Sequence, residues 1–145
     1  MTEAEELYEK GVEAADRGNL LAALALFEKA VQLEDKPVYQ SCLAVCIAKE
    51  RGQYNKAVQL CRDAIGEEPG NPVHFLNLGR ISLFQGRKEE AISLFREGLE
   101  HGFDKRIVDE LEKLGTRKKP VIPFLHRDNP VNMYLGIVLK KLRLR

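Results

Sequence analysis

Residues 38–71 read VYQSCLAVCIAKERGQYNKAVQLCRDAIGEEPGN. A helical run from Val38 breaks at Gly52-Gln53-Tyr54, a second run follows, and Pro69-Gly70-Asn71-Pro72 closes the stretch. Shifting the chain by 34 residues brings matching residue types into register on both sides. Gly18, Gly52 and Gly86 coincide at the break between two runs, and Ala23, Ala57 and Ala91 coincide early in the second run. Leu26, Leu60 and Leu94 follow, then Phe27, Cys61 and Phe95, then Ala30, Ala64 and Gly98, then Val31, Ile65 and Leu99. In the first run, Gly11 aligns with Val45 and Gly79, and Ala14 with Ala48 and Ser82.

The columns have a simple physical reading. A short helix with one apolar stripe cannot bury that stripe alone, so each pair of helices needs a neighbour. Small residues let two helix axes approach, and Leu and Phe fill the space between them. The glycine column supplies the reversal, because glycine accepts the positive φ that ends many helices.

These columns resemble the tetratricopeptide repeat family over roughly residues 4 to 103. The family's small residue in the first helix is matched by Gly11 and Gly79, and its Ala-aromatic-Ala series by Ala23, Phe27, Ala30 and by Ala91, Phe95. Pro69 matches the repeat-ending proline; Val45, Cys61 and Gly98 depart from the pattern, and the chain has no Trp. The resemblance implies an all-α, right-handed α-solenoid of three helix-turn-helix repeats (about 4–37, 38–71 and 72–103). A capping helix over 104–114 would complete a domain spanning 1–115, leaving a basic extension, 116–145, that ends in a helix.

Within that frame the sequence predicts helices at 3–17 and 20–33, 38–50 and 54–67, 73–85 and 88–101. Asn19 lies near the first turn, and Asp104 makes an N-cap for the closing helix, which carries Ile107, Val108, Leu111 and Leu114 on one stripe. A fourth repeat would need a glycine break near residue 120, where Pro120 stands instead, so the repeat stops. Residues 115–127 read as extended, with two prolines. Asn129-Pro130 then reads as a cap and first helical residue, opening a helix over about 130–143 that is apolar on more than one face.

The 145 residues amount to one domain with an appendage. No apolar run approaches the ~20 residues that span a bilayer. The acidic start MTEAEELYEK lacks the basic opening and apolar middle of a secretory signal, so a cytoplasmic location is the expectation. Cys42, Cys46 and Cys61 read as small apolar packing residues, with no fourth cysteine or spaced histidine to complete a metal site. Residues 115–145 hold eight of the chain's 23 Lys and Arg but only one of its 22 acids, Asp128; the body keeps 15 basic and 21 acidic residues. An acidic body thus carries a basic tail.

No phosphate-cradling loop, nucleophile motif or histidine pair at metal spacing occurs, so the sequence predicts no enzyme and no cofactor. His74, His101 and His126 lie in separate elements. The resemblance implies a binding groove along the first helix of each pair. Its inward places fall on Tyr8, Glu9, Val12 and Asp16, then Tyr39, Cys42, Leu43, Cys46, Lys49 and Glu50, then Val73, Leu76, Asn77, Arg80, Leu83 and Phe84. One branch of the family grips the C-terminal carboxylates of chaperones with Lys, Asn and Arg. Here Tyr8, Val12, Leu43 and Val73 hold most of those places and only Asn77 is comparably polar, so the clamp is absent.

An apolar and aromatic groove suits an amphipathic helix or extended apolar segment. The expected function is a protein-interaction scaffold. The chain's own tail, through Met133, Tyr134, Ile137 and Val138, is a candidate ligand in the same or a neighbouring copy, which would give self-association. A second reading is a membrane-surface adaptor anchored by MYLGIVLKKLRLR. Nucleic acid is disfavoured, because the cluster Arg117-Lys118-Lys119 lacks interleaved aromatics and the body is acidic.

Overall fold

The computed structural model describes residues 1–115. Among these are seven helices and no strand: α1 (Glu3–Asp16), α2 (Leu20–Leu33), α3 (Pro37–Arg51), α4 (Tyr54–Glu67), α5 (Pro72–Phe84), α6 (Lys88–His101) and α7 (Lys105–Lys113). The fold is all-α, built from helix hairpins in the repeat register. The extended segment and helix expected after residue 115, with Met133, Tyr134, Ile137 and Val138, lie outside the described residues. The helices fall into two compact units, Met1–Pro69 and a second beginning at Gly70.

Local chemistry sets the boundaries. Thr2 and Glu5 form a reciprocal capping box at the start of α1, satisfying two backbone donors that the helix leaves open. Asn19 caps α2 by accepting from Ala22 N at 3.1 Å, and Asp104 caps α7 by accepting from Arg106 N at 2.9 Å. Asn71 caps α5 in the same way. Pro37 and Pro72, which the sequence reading leaves in connectors, are the first residues of α3 and α5, where the missing N–H removes no helical bond. Gly18, Gly52 and Gly86 have φ of +82°, +67° and +76°, the left-handed turn that the aligned column requires.

In the first unit, α1 pairs with α2 and α3 with α4, and α2 also packs on α3. Gly11 brings α1 against α2 at the ring of Phe27; an added Cβ would lie 2.5 Å from Phe27 Cε1. Tyr8 stands 5.9 Å from Phe27 and 5.0 Å from Tyr39, centroid to centroid, tying α1 to both α2 and α3. Ala4, Ala30 and Tyr39 form a buried cluster against Leu7, Val31 and Val38. Helix α3 is buried at every position from Ser41 to Ala48. The Cys61 thiol of α4 approaches the Ser41 carbonyl at 3.9 Å.

The second unit repeats the hairpin in α5 and α6, with Gly79 against Phe95 as Gly11 stands against Phe27. Gly98, one of the departures from the family pattern, has a physical cause here. A Cβ at Gly98 would lie 2.9 Å from Ile107 Cδ1 and 3.0 Å from Phe75 Cβ, so glycine makes room for both α5 and α7. Helix α7 covers α6 with Ile107 and Leu111, which join Leu76, Ala91, Phe95 and Leu99 in one buried cluster. In register, the small-residue column of Gly11, Val45 and Gly79 reaches α7 at the exposed Lys113, so α7 does not repeat the pattern, and Asp109 one turn earlier pairs with Lys105 at 3.2 Å.

Candidate binding surface

On α1, residues 5, 8, 9, 12 and 16 share one helical face by their spacing, while Gly11 turns toward α2. Tyr8 and Val12 are half-buried on that face, and Glu9 and Asp16 are exposed. The Tyr8 ring is fixed by its two aromatic neighbours, so the apolar part of the face is rigid. Glu5 at the head of the stripe is committed to its cap. The Thr2 backbone donor, helped by the Lys36 ammonium 3.7 Å away, holds the Glu5 carboxyl below its ordinary range.

On α3, the predicted groove residues Tyr39, Cys42, Leu43 and Cys46 are all buried, whereas Lys49 and Glu50 are exposed. Burial, and then the proximity of Cys42, Glu50 and Glu28, pushes the Cys46 thiol up to about 12. Burial pushes the Cys61 thiol up as well. Thiols held protonated in this way are poor nucleophiles and poor metal ligands. No cluster of His, Cys, Asp or Glu among the described residues could hold a metal ion.

On α5, Leu76 and Asn77 are buried, while Val73, Arg80, Leu83 and Phe84 are half-buried. Arg80 is placed by a residue that sequence reasoning did not single out: its Nε donates to Glu110 Oε2 of α7 at 2.8 Å. The pair is largely shielded, with side chains 26% and 13% exposed, so the guanidinium braces the closing helix. Thirty residues separate the partners. No helical spacing links them, which is why the sequence carries no signal of the contact.

Solvent therefore reaches the first-helix faces at Tyr8, Val12 and Lys49 in the first unit, and at Val73, Leu83 and Phe84 in the second. In the first unit the α1 face can offer a ligand apolar contacts flanked by carboxylates, and in the second the α5 face offers apolar contacts. Among the described residues no helix is long and apolar enough to cross a membrane.

Residues 48–111 match the tetratricopeptide repeat family. The fold is also that of solved tetratricopeptide domains. The Sgt2 domain from Aspergillus fumigatus is 21% identical with a TM-score of 0.59, covering 81% of this chain and 80% of its own. The first such domain of Spaghetti (RPAP3), bound to the HSP90 peptide SRMEEVD, is 20% identical with a TM-score of 0.55, covering 79% and 92%. The type III secretion translocator chaperone SycD of Yersinia enterocolitica, solved as an alternative dimer, is 21% identical with a TM-score of 0.51, covering 95% and 93%. No curated protein matches the chain in sequence. Sequence and fold thus point the same way: residues 48–111 match the tetratricopeptide repeat family, and the described helices have the fold of its solved domains.

Proposed function

We propose that the protein is a non-catalytic interaction scaffold that binds an amphipathic polypeptide segment on the exposed face of α1. The observation that carries this reading is the Tyr8–Val12 stripe, apolar, rigidly backed by Phe27 and Tyr39, and bordered by exposed carboxylates. Such a face rewards an apolar helix with basic flanks. Solved structures of this fold include one bound to the acidic HSP90 peptide SRMEEVD. This chain is suited to the opposite charge. Tyr8, Val12 and Val73 offer no cation, Asn77 is buried, and Arg80 is engaged by Glu110.

Titrating the full chain against two fluorescent peptides, SRMEEVD and a Leu/Lys amphipathic helix, tests the reading. Saturable binding of the cationic helix alone, weakened by Val12→Asp, supports it. Preference for SRMEEVD overturns it. Binding of the chain to anionic vesicles with no peptide binding would replace it with the membrane-adaptor reading.

A further inference from the structure

The Tyr8–Val12 stripe has two exposed carboxylates beside it, Glu9 and Asp16, and neither forms an ion pair among the described residues. A helix face that is apolar along its centre and anionic at its margin selects a ligand that is apolar with a cationic margin. The chain supplies one. Residues 130–143 carry Tyr134, Ile137 and Val138 at helical spacing, followed by Lys140, Lys141 and Arg143, and contain no acid. We propose that this segment of the chain's own tail is the occupant of the Tyr8–Val12 stripe, which rests on the reading of that stripe as a peptide-binding face.

Three further features agree. The charge imbalance lies where docking needs it, with eight basic residues and one acid in 115–145 against 21 acids and 15 basic residues in the body. The lengths match: 14 residues of α1 and 14 predicted helical residues of the tail each make about 21 Å of helix. The connection is long. Residues 116–129 span up to about 46–50 Å when extended, more than twice the length of any helix described. The same apolar segment exposed to water would be a liability, and a stripe that covers it removes that cost. The tail then acts as an internal competitor, and an outside ligand must displace it.

The test uses the full chain with a benzophenone amino acid in place of Val12, and maps the photo-adduct by mass spectrometry. The expected result is an adduct within residues 130–143, in the monomer or between copies. Glu9→Lys with Asp16→Lys should lower its yield about tenfold, as should raising the salt from 0.05 to about 1 M. A substituted chain that keeps its helical circular dichroism but gives no tail adduct overturns the inference. Adding the Leu/Lys helix separates the two readings. If that peptide is captured at position 12 and the tail is not, the tail is not the occupant and the binding face stands. If neither is captured, both fall.

Discussion

A Cβ placed on Gly79 would lie 2.4 Å from Cε1 of Phe95, and the same construction at Gly11 meets Phe27 at 2.5 Å. Each hairpin closes where a bare backbone accepts the face of a ring. Two effects oppose each other when Ala replaces Gly here. Ala is the better helix former by about 1 kcal/mol, while forcing an atom into a filled core costs about 1–3 kcal/mol. At these separations the ring must move, so packing wins. Gly11→Ala and Gly79→Ala are expected to destabilise the protein by up to about 2 kcal/mol in urea denaturation. Gly66→Ala is the control, because Gly66 lies within α4 with nothing near a new Cβ and should gain up to about 1 kcal/mol. Gains at all three positions would show that the rings yield freely.

The middle hairpin inverts this relationship. In register, Val45 stands where Gly11 and Gly79 stand, and Cys61 where Phe27 and Phe95 stand. Both are buried, at 6% and 0% exposure. By register a larger residue on the first helix accompanies a smaller one on the second, so the summed volume of the two positions is kept. Cys61→Phe alone should therefore destabilise by overpacking, and Val45→Gly alone by leaving a void. The double substitution should recover part of both losses, giving a coupling of about 1–3 kcal/mol in a double-mutant cycle. Strict additivity would mean that the two positions do not share a space.

The repeat was legible because its signal is local and recurs. Gly18, Gly52 and Gly86 each declare a turn, and the Ala and Leu columns each declare a buried stripe. Element boundaries were nearly as plain, apart from Pro37 and Pro72, which punctuate a loop and begin a helix equally well. The proposed binding face was harder to read. A place on a helix wheel fixes the direction of a side chain but not what covers it, so Tyr39, Cys42, Leu43, Cys46 and Leu76 read as groove residues and are buried. Arg80 looked like a ligand-facing cation until α7 brought Glu110 to it. Long-range partners of that kind leave no periodicity to find.

Arg80 and Glu110 join α5 to α7 in a shielded place, so their pairing should matter more than that of the exposed pair Lys105–Asp109. Glu110→Ala is expected to cost about 1–3 kcal/mol, because it strands a half-buried guanidinium. The loss should persist at 1 M salt, unlike that of Asp109→Ala, which should fall within about 0.5 kcal/mol. Hydrogen exchange supplies an independent readout: amides of α7 should exchange faster in the Glu110 variant while those of α1 and α2 do not change. Uniform acceleration, or none, would assign the pair no special hold on the closing helix.

The buried thiols give the stability a direction with pH. Folded Cys46 is raised to about 12 and Cys61 is raised as well, in both cases chiefly by burial. In the unfolded chain both titrate at about 8.5–9. Below that window both states keep their protons and the thiols contribute no slope. Above it the unfolded chain gives up protons that the folded chain retains, so stability falls as pH rises. Each thiol contributes about 1.4 kcal/mol per pH unit until its folded pKa is reached. Urea midpoints should therefore decline from pH 9 to 11 more steeply in the natural chain than in a variant with Cys46→Ala and Cys61→Ala, even though that variant starts lower through lost packing. A thiol reagent such as Ellman's, applied at pH 8, should leave both residues unmodified until urea is added. Parallel midpoint curves, or rapid labelling of the folded protein, would mean that these thiols are not held protonated by burial between α3 and α4.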